Sequence, residues 1–171
     1  MFYKMIENKC KEWYSSDQCT VRNLIEYIEK TGQMRDAQIE AIKVYLFLKI
    51  GCECKPLEFL FRYGCFNSIN LNDIELSTAT REYLEENPAA TALFEYSRLT
   101  NDKGEQVSEK LEKQIKKDPS SIDYDAFFRT AFYGVSYTDY LFSLPMGAGK
   151  TYLMAAFIYI DSVSYTHLRA H

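Results

Sequence analysis

The run Gly147-Ala148-Gly149-Lys150-Thr151 brings together the residue types that a polyphosphate requires. Glycines at two of three successive positions let the backbone curl tightly and approach an anion closely, so that N–H groups can be turned onto it. A lysine directly after the second glycine can place its ammonium on the β and γ phosphates, and the hydroxyl of a following threonine can bind Mg²⁺. The chemistry these residues suit is binding of ATP with Mg²⁺. Gly147, Ala148, Gly149, Lys150 and Thr151 would contact the nucleotide, Lys150 and Thr151 would also act on the reacting phosphate, and Thr151 would hold the metal.

Such a loop needs a rigid element on either side. Before it, Tyr140-Leu141-Phe142-Ser143-Leu144 is a short, mostly apolar run of the kind that forms a buried strand. After it, residues 150–161 read as a helix that is apolar on nearly every side, which predicts burial. Strand, glycine-rich turn and helix together are the setting in which the motif G-x-x-x-x-G-K-[ST] acts, the helix N-terminus adding its dipole and free N–H groups. Leu144 occupies the first glycine position of that motif.

Leu144-Pro145-Met146-Gly147-Ala148-Gly149-Lys150-Thr151 resembles motif I of the superfamily 2 helicases and translocases, in which the first glycine is commonly absent. It is most similar to the DEAD/DEAH-type family that includes the motor subunits of type III restriction enzymes. A second segment agrees: Met34-Arg35-Asp36-Ala37-Gln38-Ile39-Glu40-Ala41-Ile42 resembles the Arg-x-x-Gln-x-Glu-Ala-Ile stretch near the start of many such motors. The resemblance implies an ATP-dependent DNA motor with a RecA-like α/β phosphate-loop domain. It gives Gln38 the task of reading adenine, for which a carboxamide has both a donor and an acceptor. Other phosphate-loop proteins (a kinase or an AAA-type ATPase) and a helical interaction module without catalysis are the competing readings.

Upstream of the loop the pattern is helical. Residues 1–14 form an amphipathic stretch around Phe2, Met5, Ile6 and Trp13. Thr20 is placed to cap a helix over 21–30 with Gly32 past its end, and Asp36 to cap the next, which Gly51 stops. Further helices are expected over 57–63 after Pro56, over 78–86, over 88–99, over 107–117, and over 122–133 with Ser121 as cap and Gly134 as stop. The expected fold is therefore mainly α, leading into the first strand, phosphate loop and helix of a RecA-like domain. Four segments follow: a helical region over 1–50 with the Gln38 segment, a mostly helical insertion over 51–134, the start of the ATPase domain over 135–161, and a tail over 162–171.

That tail differs from the rest. Val163-Ser164-Tyr165-Thr166-His167-Leu168-Arg169-Ala170-His171 contains both histidines of the chain and resembles a translated sequencing adapter. The expectation is that it is not native, that the preceding residues are the N-terminal part of a longer motor, and that neither histidine serves chemistry. In the family that the loop resembles, hydrolysis also needs an Asp-Glu box and arginines from a second motor domain. No such box follows Thr151. Glu85-Glu86 and Asp123-x-Asp125 stand upstream and read as solvated helix ends.

Composition sets the remaining bounds. With 47% hydrophobic and 26% charged residues, a chain of 171 can bury a core. Formal charge is −4, and the Lys110–Lys117 stretch is matched by Glu105, Glu109 and Glu112, so no basic face for nucleic acid is evident. DNA is expected to be held by the remainder of the motor, with restriction–modification subunits as further partners. Five cysteines without a secretory apolar segment suggest reduced thiols in the cytoplasm. Cys52, Cys54 and Cys65 lack the fourth ligand of a zinc site. No run approaches the length of a membrane span.

Overall fold

A computed structural model describes residues 1–133, 142 and 147–168. Among them the protein is mainly helical: α1 (Phe2–Ser15), α2 (Arg22–Thr31), α3 (Asp36–Leu46), α4 (Leu57–Arg62), α5 (Thr78–Glu86), α6 (Pro88–Arg98), α7 (Glu109–Lys117), α8 (Tyr124–Ala131) and α9 (Lys150–Leu168). A π-helical turn, Phe47–Gly51, continues α3, and short 3₁₀ turns cover Leu71–Asp73 and Pro119–Ser121. The described residues contain no strand, only an isolated bridge between Thr100 and Gln106. The strand expected over 140–144 lies outside the described residues except for Phe142, as do Pro145, Met146, the helix stop at Gly134 and residues 169–171.

The chain divides into two compact units. The first comprises Met1–Glu12 and Cys52–Asp139, the second Trp13–Gly51 and Tyr140–His171. In the first unit α6 is central. Ala89 to Glu95 are all buried along it, so it is covered around most of its circumference, with α4, α5, α7 and α8 packed against it. Pro88 occupies its first turn and the Asn87 side chain accepts from the N–H of Ala90 at 3.2 Å, which fixes where it starts. Rings build the rest of this core. Phe61 is fully buried between Phe2, Phe66 and Phe132, with ring centroids 4.8 to 5.2 Å apart. The loop after α4 is tied in by a buried carboxylate: Glu95 accepts from the N–H groups of Ser68 at 2.9 Å and Ile69 at 3.1 Å, and from the Ser68 hydroxyl at 2.6 Å.

The second unit holds α2, α3, the π-helical turn and α9. Ile25, Ile42 and Leu46 are fully buried within it. Trp13 packs on Phe47 with centroids 5.6 Å apart. The Arg22 guanidinium donates to the carbonyls of Tyr14 at 3.0 Å and Ser16 at 2.5 Å, satisfying the acceptors left at the end of α1.

Several helix starts differ from expectation by one or two residues. Val21, not Thr20, precedes α2; Arg35, not Asp36, precedes α3; Asp123, not Ser121, caps α8 by accepting from Ala126 at 2.9 Å. Ser121 and Asp123 have similar capping ability, so the packing of α8 decides between them, whereas Val21 and Arg35 make no side-chain cap bond. The helix after the loop also runs further than expected. It passes Asp161 and continues to Leu168, since Ser, Tyr and Thr are tolerated in a helix interior.

Candidate functional site: the glycine loop and the start of α3

Gly147 and Gly149 both adopt left-handed backbone, with φ of +77° and +74°. An L side chain is strained in either place. The two positions differ in their surroundings. A Cβ on Gly147 would meet nothing within 4 Å, whereas one on Gly149 would lie 2.6 Å from Nε2 of Gln38. Ala148, between them, is buried. Lys150 and Thr151 form the first turn of α9, and both are exposed. Among the described residues, no side chain pairs with Lys150.

The start of α3 grips this loop by its carbonyls. Gln38 donates from Nε2 to the oxygen of Gly149 at 2.9 Å, and Arg35 donates from its guanidinium to the oxygen of Gly147. The other end of the Gln38 carboxamide caps its own helix, its Oε1 accepting from the N–H of Arg35 at 2.8 Å. Gln38 is thus buried and engaged at both ends, although each end of an amide has a second hydrogen-bonding position. The Gly149 oxygen also accepts from the N–H of Leu153 at 3.1 Å, the first bond of α9.

Peptide planarity turns these contacts into a statement about the N–H groups. In a trans peptide the N–H of each residue points opposite to the preceding carbonyl. With the carbonyls of Gly147 and Gly149 held by Arg35 and Gln38, the N–H groups of Ala148 and Lys150 are each directed away from their gripping side chain. Neither has a partner among the described residues. N–H groups turned away from those side chains, beside a lysine at a helix start, are suited to an anion.

Contacts further along show how α3 and α9 hold this arrangement. Gln38 meets Gly149; Tyr45 packs on Phe157 with centroids 4.4 Å apart and the rings tilted; the Tyr45 hydroxyl donates to Asp161 at 2.5 Å, and Lys49 forms an ion pair with the same carboxylate. From Gln38 to Tyr45 is an advance of about 11 Å along α3, and from Gly149 to Phe157 about 12 Å along the other segment. The helices therefore lie side by side and parallel, with both N-termini, the positive ends of their dipoles, at the loop. Phe142 packs on Phe157 with centroids 5.2 Å apart. The Tyr152 hydroxyl donates to the carbonyl of Gly32, just past α2, at 2.9 Å.

Asp161 is the acidic residue of α9 downstream of the loop. Burial pushes its carboxyl upward, but hydrogen bonds from Lys49 and Tyr45 and the Lys49 charge outweigh this and hold it below the usual carboxylate range. One of its oxygens, Oδ1, takes both contacts and ties α9 to α3. Among the described residues, no cluster of three or more His, Cys, Asp or Glu side chains could hold a metal ion. All five cysteines are free thiols, and burial pushes Cys52 up to about 12. No helix among the described residues is long and apolar enough to cross a membrane.

The helix α9 departs from its expected burial. Leu153 and Ile160 are buried, but Tyr152, Met154, Ile158 and Tyr159 are more than half exposed. α3 covers one side of it, and a helix apolar all round needs cover on more than one.

Of the residues expected to form the site, Gly147, Ala148, Gly149, Lys150, Thr151 and Gln38 are brought together in the second unit. Arg35 was present in the Arg-x-x-Gln segment without an assigned task; its contact with Gly147 gives it one. Tyr45, Lys49 and Tyr152 have no motif to mark them, because their partners lie more than a hundred residues away. No family model matches the chain, and no curated protein or solved structure matches it.

Proposed function

We propose that residues 147–151 bind the phosphates of ATP, with Mg²⁺ at Thr151, as the nucleotide loop of an ATP-dependent helicase or translocase. The observation that carries the reading is the grip of Arg35 and Gln38 on the loop carbonyls, which leaves the N–H groups of Ala148 and Lys150 without a partner among the described residues. Backbone donors supply the base of the site, Lys150 the mobile charge on the outer phosphates, and the Thr151 hydroxyl a metal ligand. Motif I resemblance selects the helicase class and a RecA-like domain over other phosphate-loop proteins. DNA and restriction–modification subunits follow from that resemblance, and a cytoplasmic setting from the cysteine usage.

Residues 1–171 supply binding rather than turnover. Hydrolysis in the family that the loop resembles needs an Asp-Glu box that holds Mg²⁺ and orients water, and Asp161, tied through Oδ1 to Lys49 and Tyr45, is no such pair. Calorimetric titration of the protein with Mg-ATP tests the reading. Saturable one-to-one binding that weakens at least about tenfold in Lys150→Ala, the loss of one charge-assisted phosphate contact, is expected. Absence of binding, or equal binding by Lys150→Ala, would refute it.

A further inference from the structure

We infer that Arg35 and Gln38 are positioning residues for the phosphate site, acting on loop geometry and not on the base of the nucleotide. The inference rests on the phosphate-loop reading and assigns the N-terminal turn of α3 a role within it. Four observations converge. The Gln38 carboxamide is buried, and its two ends are already engaged, one on the Arg35 N–H and one on the Gly149 carbonyl. The Arg35 guanidinium lies on the Gly147 carbonyl. These are the carbonyls of the two left-handed residues, whose backbone would otherwise be the freest to rotate. Fixing each carbonyl fixes the following N–H through the planar peptide, so the donors of Ala148 and Lys150 are oriented before any ligand arrives.

The energetic logic is preorganisation. A glycine-rich loop that samples many conformations must be ordered when it binds, and that cost weakens binding. Two side chains anchored on a helix remove the cost in advance. The Arg35 contact is charge-assisted and the stronger of the two, while the Gln38 contact also closes the first turn of its own helix, so the loop and α3 become a single unit. Because the effect passes through the N–H groups, it applies to any ligand with a phosphate chain, whatever base it carries. A base-reading glutamine would instead affect adenine nucleotides alone.

Binding of three probes separates the alternatives: Mg-ATP, Mg-GTP and inorganic tripolyphosphate, measured by calorimetry with wild type, Gln38→Met, Arg35→Met and Arg35→Gln. Gln38→Met and Arg35→Met should weaken all three probes by a similar factor, about tenfold for loss of one such hydrogen bond. Arg35→Gln keeps a side-chain N–H for the Gly147 carbonyl and should recover part of that loss. Far-UV circular dichroism of each variant reports whether α3 remains helical, and Lys150→Ala marks the loss expected from a direct phosphate contact. If Gln38→Met weakens only Mg-ATP, Gln38 reads adenine and the inference fails while the phosphate-loop reading stands. Unchanged affinities for all three probes in a folded Gln38→Met and a folded Arg35→Met also overturn it. If wild type binds none of the probes, the phosphate-loop reading falls, and this inference with it.

Discussion

Gln38 Nε2 donates to the carbonyl of Gly149 across 2.9 Å, and the same nitrogen stands 2.6 Å from where a Cβ on residue 149 would lie. One side chain therefore both holds the second glycine of the loop and would have to shift to admit a Cβ there. Gly147, equally left-handed, faces open space.

The two glycines should consequently differ on substitution. Gly147→Ala carries backbone strain alone, about 1–2 kcal/mol. Gly149→Ala carries similar strain and also displaces Gln38, so it should be the more destabilising and the more damaging to Mg-ATP binding. Thermal unfolding and calorimetry on both variants check the order; equal effects would show that Gln38 yields without consequence.

Asp161 should give the second unit a stabilising contribution confined to higher pH. Its folded carboxyl titrates below the unfolded value of about 3.9, so the contribution is present above that pH and is lost as pH falls through the folded value. The side chain is 48% exposed, and solvent screening limits the contribution to less than about 1 kcal/mol. Urea unfolding of wild type and Asp161→Ala should differ at pH 7 and converge as pH falls below the folded value. A difference that persists undiminished there would mean the carboxylate charge is not what fastens α9.

What could be read from the chain and what could not divide along physical lines. Local chemistry was legible: the backbone of Gly147 and Gly149 favours glycine, and the apolar spacing of Leu24, Ile25 and Ile28 marks α2 with Gly32 past its end. Cap positions shifted, as between Ser121 and Asp123, because adjacent residues offer nearly the same hydrogen bond. The fastening of α9 was not legible. Tyr45, Lys49 and Asp161 are ordinary residues in their own helices, and only the parallel pairing of α3 and α9 makes them partners. The apolar composition of α9 calls for burial on every side, but burial requires neighbours, and Met154 and Ile158 remain exposed.

In the first unit, Glu95 should be more important than its polar character suggests. It satisfies the N–H groups of Ser68 and Ile69 from within the core. Glu95→Ala leaves these donors without an acceptor and should cost about 2–3 kcal/mol in urea unfolding, with Glu95→Gln costing less because one acceptor oxygen remains. A neutral Glu95→Ala would show that water replaces the carboxylate without penalty.

The central claim is that the N–H groups of Ala148 and Lys150, oriented by Arg35 and Gln38 through the carbonyls before them, receive a phosphate chain. Backbone amide shifts in a ¹⁵N-labelled sample titrated with Mg-ATP report on it directly. The account predicts that the Ala148 and Lys150 amides move saturably and downfield, among the largest changes in the spectrum, and that these shifts vanish in Lys150→Ala at the same ligand concentration. Amides of residues 147–151 that stay in place while Mg-ATP binds elsewhere, or does not bind, would contradict it.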